Sequence, residues 1–204
     1  MIENISLNIS AEFEDICKKL KELRRSIFFE IIGFPRSNPK KWEEVSLADT
    51  SYFKFGAGKP IRKENLDPNG EYWVYGANGK IGRHSEYIFD QKTIVIGRVG
   101  SYCGNVYISM DKAWVTSNAI TLQTNETSFL IEYLAQMISM LNLNNFSTGA
   151  AQQYLSVNTI KNLTVYKPPM EVQNEISKFL IQTRKIKALI EERNNAIEKL
   201  IELK

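Results

Sequence analysis

Ten positions near the end of the chain step by four and three residues: 172, 176, 179, 183, 186, 190, 193, 197, 200 and 204. They carry Val, Ile, Phe, Thr, Ile, Ile, Arg, Ile, Leu and Lys, so seven of the ten are apolar. That spacing gathers them on one face of an α-helix and makes a coiled-coil seam. Pro168 and Pro169 end the preceding segment and set the helix start. A helix of about 35 residues spans about 52 Å at 1.5 Å per residue. One small domain cannot cover that length, so part of the seam wants a partner. The expected pairing residues are Val172, Ile176, Phe179, Ile186, Ile190, Ile197 and Leu200. Thr183, Arg193 and Lys204 interrupt the seam, and polar residues at such positions fix register and orientation. The competing arrangement folds the helix back onto its own domain.

A second helix is expected over residues 11–32. Phe13, Ile16, Leu20, Leu23, Ile27 and Ile31 repeat at helical spacing, Cys17 and Phe28 widen the face, and Ser10 can cap the start. Gly33, Pro35 and Pro39 end it. Between residues 41 and 168 the pattern changes. Strand-like runs lie at 72–75, 93–98, 105–109 and 119–123, separated by turn residues such as Asp67-Pro-Asn-Gly and Ala77-Asn-Gly. One internal helix is expected over 128–141, with Phe129, Leu130, Tyr133, Leu134, Met137, Ile138 and Leu141 on its core face. The expectation is an α+β chain in three parts: an N-terminal helix and linker over 1–40, a globular domain with a β-sheet and packed helix over 41–168, and a C-terminal coiled-coil helix over 169–204. The Pro-bounded junctions suggest that a fragment of residues 41–170 folds alone.

Catalytic chemistry is hard to find. His84 is the single histidine and has no acid–base partner nearby in sequence. Gly58-Lys59-Pro60 fails as a phosphate-binding loop, because Pro60 stands where Ser or Thr is needed and Phe53 where Gly is needed. There is no Gly-x-Ser-x-Gly elbow. Lys167-Pro-Pro-Met lacks the polar first residue and aromatic last residue of an amino-methyltransferase motif. No Cys/His cluster suggests zinc and no acidic cluster suggests a nuclease metal site. The chain is expected to be non-catalytic, with no metal and no cofactor. Cys17 and Cys103 lie far apart and suit a reducing cytoplasm as free thiols. No apolar run approaches a membrane span, and the first residues carry no secretory pattern, so a cytoplasmic, membrane-free protein is expected.

Several phrases occur in a telling order. They are Phe55-Gly-Ala-Gly-Lys-Pro-Ile, Tyr75-Gly-Ala-Asn-Gly-Lys-Ile-Gly, Ile94-Val-Ile-Gly-Arg-Val-Gly-Ser-Tyr-Cys-Gly-Asn-Val and Trp114-Val-Thr-Ser-Asn-Ala. Asn145-Phe-Ser-Thr-Gly-Ala-Ala-Gln-Gln-Tyr follows, then Ile160-Lys-Asn-Leu-Thr-Val-Tyr-Lys-Pro-Pro and the long helix. From about Trp42 to Lys204 this order resembles a target recognition domain and its spacer helix in the DNA-specificity subunits of Type I restriction-modification systems. Leu20-Lys-Glu-Leu-Arg-Arg-Ser-Ile-Phe resembles the last turns of such a spacer. The departure is length. The family usually carries two recognition domains, whereas each phrase here occurs once in 204 residues.

The resemblance therefore implies a half-length, non-enzymatic specificity subunit. Its partners would be double-stranded DNA, a methyltransferase (modification) subunit, and a restriction subunit through the complex. A homodimer would restore two recognition domains and read a split target. Two rival readings are a coiled-coil adaptor whose globular domain binds protein, and a fragment of a fused restriction–modification enzyme. Net charge is only +3, and residues 41–124 hold 10 basic and 9 acidic side chains, so any DNA face depends on three-dimensional sorting. Base edges are read by Arg, Lys, Asn and Gln, and phosphates by further cations. On that basis the candidate DNA contacts are Lys54, Lys59, Arg62 and Lys63; Asn78, Lys80, Arg83 and His84; Arg98 and Tyr102; and Thr148, Gln152 and Gln153. For the Gly and Asn residues of these loops, the plain alternative is a tight hairpin.

Overall fold

The computed structural model describes the backbone of residues 2–34, 37–149 and 153–202, and side chains within residues 11–34, 37–149 and 153–201. Among the described residues, α1 (Ile2–Ile32) is followed by nine strands and two shorter helices and then by α4 (Met170–Glu202). The strands are β1 (Glu43–Ser46), β2 (Phe53–Ala57), β3 (Tyr72–Gly76), β4 (Gly79–His84), β5 (Ile94–Gly97), β6 (Val106–Ile108), β7 (Ala113–Val115), β8 (Ala119–Thr124) and β9 (Thr164–Lys167). The helices between are α2 (Ile131–Met140) and α3 (Val157–Lys161). This is the α+β architecture expected from the alternation of strand-like and helical periods.

Three sheets form. One has the antiparallel order β2-β8-β5-β6, a second the order β4-β3-β7, and β1 pairs with β9. Ile94, Ile96, Ile120 and Leu122 point from the four-stranded sheet into the main core, where Phe129, Tyr133, Leu134, Met137 and Ile138 meet them. Burying such a side chain stabilises by about 1.5–3 kcal/mol. Tyr75, Val95, Ala113, Val115 and Ala119 form a second apolar layer that joins the two larger sheets.

Both long helices belong to the main core. α1 drives Phe28 and Ile32 into it, and α4 contributes Ile176 and Leu180, all at most 2% exposed. Phe28 stacks on Tyr133 of α2 with ring centroids 5.9 Å apart. α1 ends in the core and α4 begins there, so the two run antiparallel and pack on each other as a helical arm. Polar groups weld the arm on. Gln173, 1% exposed, accepts from the Leu130 backbone N–H at 3.0 Å. Its Nε2 donates to the carbonyls of Ser128 and Pro168, each at 3.0 Å. Glu132 meets Lys92 at 3.7 Å and Arg184 at 3.6 Å, and Arg24 donates to Gln136 at 3.0 Å. Burial, and then the neighbouring Arg184 charge, hold the Arg24 guanidinium below its usual pKa.

These facts correct several expectations. α1 starts at Ile2, so Ser10 lies inside the helix rather than capping it. Ile176 is buried in the chain's own core, and Val172 and Phe179 pack against that core, so these three are not free to form an intermolecular seam. The Thr183 hydroxyl donates to the Leu180 carbonyl of its own helix at 3.0 Å, which sets no register with a partner. Ile190 and Ile197 are half-buried and Arg193 is exposed, while Lys204 lies outside the described residues. Ile186, Leu189 and Leu200 on α4, with Ile16 and Leu23 on α1, remain exposed. The seam thus splits: its first three turns go to the domain, and only the distal part is available. The phrase from Phe55 begins inside strand β2, which runs as far as Ala57. Among the described residues no helix is long and apolar enough to cross a membrane.

Candidate nucleic-acid interface

Strand register gathers the loops. Ala57 of β2 lies opposite Ile120, and Gly97 of β5 opposite Ala119, so these strand ends share one edge of the domain. The β3–β4 turn and the β7–β8 turn open at the same edge, because the Thr116 N–H donates to the Tyr75 carbonyl at 2.8 Å. Two glycines make this crowding possible. A Cβ on Gly58 would lie 2.1 Å from the Val115 oxygen, and one on Gly97 would lie 2.1 Å from the Tyr102 oxygen. No larger residue fits where backbones approach so closely.

On this rim and along the β3–β4 hairpin beside it, three cationic groups rest on aromatic rings. The Arg98 guanidinium carbon lies 5.1 Å from the Tyr154 ring centroid, and its Nη2 donates to the Tyr154 hydroxyl. Tyr154 reaches Arg98 because its segment bridges to Val99 and pairs with Thr148, with the Gly100 N–H donating to the Gln153 carbonyl at 2.9 Å. Lys80 and Arg83 each lie 4.2 Å from the Trp73 centroid. Arg83 also donates to the Gly70 and Glu71 carbonyls at 3.2 and 3.3 Å. Burial, reinforced by Arg83, lowers the Lys80 ammonium pKa. The Trp114 indole N–H donates to the Lys59 carbonyl at 3.1 Å, and His84 meets the Trp114 ring edge-on at 5.0 Å. Ring contacts of this kind hold long cations in place while leaving their charge available.

The candidates do not all assemble. Lys59, Asn78, Lys80, Arg98, Tyr102, Thr148 and Gln153 belong to the rim, whereas Arg83 and His84 pair with Trp73 and Tyr72, four and five residues along β4 from Gly79 and so about 13 and 17 Å from it. Tyr102 is 44% exposed there. Asn78 accepts from the Tyr107 hydroxyl at 3.5 Å, which ties its turn to β6. Lys54 pairs with Gln123, three residues back along β2 from Ala57, and so stands about 10 Å from the rim. Arg62 faces Glu64 at 3.7 Å, which offsets its charge, and Lys63 stands exposed in the same short turn. Gln152 lies outside the described residues. Sequence reasoning missed Tyr154, Trp73 and Asn118. Tyr154 followed the glutamines in a quoted phrase, and Trp73 sat in an apolar strand where it looked like core. Asn118 is exposed, and its carbonyl accepts from the Arg98 N–H at 3.0 Å.

Among the described residues no group of His, Cys, Asp and Glu is placed to hold a metal ion. Cys103 is buried with its Sγ 3.4 Å from the Arg98 carbonyl, and burial raises its thiol pKa.

A family model described as "Type I restriction modification DNA specificity domain" matches residues 39–199. The specificity subunit of the Type I restriction enzyme EcoprrI from Escherichia coli is 29% identical over 131 residues, covering 62% of this chain and 32% of that subunit. The S subunit of a Type I restriction-modification system from M. genitalium superposes with a TM-score of 0.76 at 15% identity, covering 99% of this chain and 58% of that one. The HsdS subunit of Thermoanaerobacter tengcongensis gives a TM-score of 0.58 at 14% identity, covering 98% of this chain and 54% of that one. At those identities the two structures speak for the fold. The match spans about a third of the E. coli subunit, and the chain spans rather more than half of each solved one.

Proposed function

The chain belongs to the family of Type I restriction modification DNA specificity domains, and from that premise we propose that it recognises a sequence in double-stranded DNA on behalf of a Type I complex. The observation that carries this reading is the loop rim, where Arg98 rests on Tyr154 and Lys59 lies beside Trp114, with Lys80 on Trp73 along the adjoining hairpin. Net charge is almost balanced, so this local sorting supplies the attraction that composition alone does not. Immobilised guanidinium groups suit base edges, and the lysines suit phosphates. Recognition would fall to residues 41–168 and assembly to the two helices.

A methyltransferase subunit would dock on the helical arm, with a restriction subunit joining through the complex in the cytoplasm. Methyl transfer and cleavage would be theirs. The exposed Ile16, Leu23, Ile186, Leu189 and Leu200 favour a second chain along the arm. A second copy would give two recognition domains, and a two-fold pair would read a split, palindromic target. A different specificity chain in that place would give an asymmetric target.

Sequencing of methylated sites in cells with and without the chain tests the reading. Loss of methylation at one split motif is expected. An identical methylation pattern in both would overturn it, and would favour an adaptor that binds protein.

A further inference from the structure

We propose that Arg98 reads a guanine in the major groove and that Tyr154 is the positioning residue that aims it; this rests on the DNA-recognition reading above. The backbone of Arg98 is held on both sides. Its N–H donates to the Asn118 carbonyl at 3.0 Å, and its own carbonyl accepts from the Leu155 N–H at 2.9 Å. Tyr154 is equally fixed, exchanging backbone hydrogen bonds with Thr148 at 2.9 and 2.8 Å. Cα positions on both sides of the pair are therefore set by ladders rather than by the side chains.

The guanidinium has two edges on which it can present parallel donors. One edge is closed. Nε is buried without a hydrogen-bond partner, so the Nε–Nη2 edge cannot meet a ligand. A buried donor without an acceptor costs free energy, and such costs are met where function fixes a geometry. The open edge is the Nη1–Nη2 end. In this proposal Tyr154 takes the Nη2 proton on the closed Nε side, which leaves the other Nη2 proton parallel to one on Nη1. Two parallel N–H donors match two adjacent acceptors. Guanine offers O6 and N7 in the major groove, whereas adenine pairs its N7 with a donor, thymine offers one acceptor and cytosine a donor.

A phosphate also accepts a forked donor. Phosphates, however, are met well by mobile cations and gain little from a side chain locked by a ring and a hydroxyl. The other candidate cations are less suited. Arg83 spends Nη1 on the carbonyls of Gly70 and Glu71, and a lysine has no planar fork. Among the described residues Arg98 joins no ion pair, so its charge is not cancelled within the chain.

The test uses the full chain and a pool of randomised duplexes at low salt. The consensus enriched by the unaltered chain is resynthesised with 7-deazaguanine, which lacks N7, at one guanine at a time. One guanine is expected at which this change weakens binding about 5- to 10-fold. R98A is expected to lose the preference for guanine at that position alone, by about 5- to 150-fold, the span of a bidentate arginine–guanine pair at about 1.4 kcal/mol per tenfold. Y154F keeps the ring and should retain part of the discrimination, whereas Y154L should lose most of it. If R98A weakens every duplex alike, or if 7-deazaguanine is tolerated everywhere, the guanine assignment falls and DNA recognition stands. If Y154L discriminates as the unaltered chain does, the positioning role falls. If the unaltered chain enriches no sequence, the DNA-recognition reading fails and this proposal with it. The 7-deazaguanine arm uses no variant, so a poorly folded R98A does not decide the matter.

Discussion

Cutting the chain to residues 41–170 removes both long helices and should unfold what remains. The fragment loses Phe28, Ile32, Ile176 and Leu180, which are 1%, 0%, 2% and 1% exposed in the full chain. At about 1.5–3 kcal/mol for each buried side chain, the four contribute about 6–12 kcal/mol. Their departure also uncovers Tyr133 of α2, on which Phe28 stacks. With Gln173 gone, the Leu130 N–H and the Ser128 carbonyl lose their partner. A domain is stable by about 5–15 kcal/mol in total, so the loss is of the same size as the whole. A control fragment of residues 20–185 keeps all five side chains. Urea unfolding followed by circular dichroism, with limited proteolysis beside it, should give a cooperative transition for 20–185 and none for 41–170. A cooperative transition in 41–170 within about 2 kcal/mol of the full chain would refute the reasoning, because the helices would then be appendages rather than core.

Gln173→Ala should destabilise the full chain by about 1–3 kcal/mol in urea, since it strands the buried Pro168 carbonyl and a half-buried N–H and carbonyl. Lys59→Ala should weaken binding to all duplexes alike and lower the log–log salt slope by about 0.9, measured by fluorescence anisotropy across salt; an unchanged slope places Lys59 away from DNA. Ile186→Glu together with Leu189→Glu should leave the far-UV circular dichroism unchanged, because both side chains are exposed at 46% and 65% and not part of the chain's own core. The same pair should reduce the particle mass seen by light scattering, and an unaltered mass would remove the arm from self-association.

The long helices were legible because their period is local. Four- and three-residue steps need no knowledge of the rest of the chain, and the two prolines fixed the start of α4. What that period could not reveal was which partner each turn meets. Val172, Ile176 and Phe179 look like Ile186 and Leu200 in sequence, yet the first three pack into the chain's own core while the others face solvent. Strands β1, β4 and β7 escaped notice for a related reason. They are three to six residues long, and β7 is held by parallel pairing with β3, a contact distant in sequence. In the rim, the cations were legible by residue type and Gly-rich surroundings. Their aromatic supports were not, because Tyr154 lies 56 positions from Arg98 and only the fold joins them. Lys54 shows the converse: a base in a basic stretch, carried off the rim by its strand register.

The claim that the loop rim is the DNA-reading surface is tested most directly by hydrogen–deuterium exchange of the full chain with and without its enriched duplex. Slowed exchange is predicted in peptides covering residues 58–60, 77–80, 98–104 and 116–118, with little change along α1 and the distal half of α4. Protection confined to the helical arm, or none in those four loops while the duplex is bound, would contradict the account.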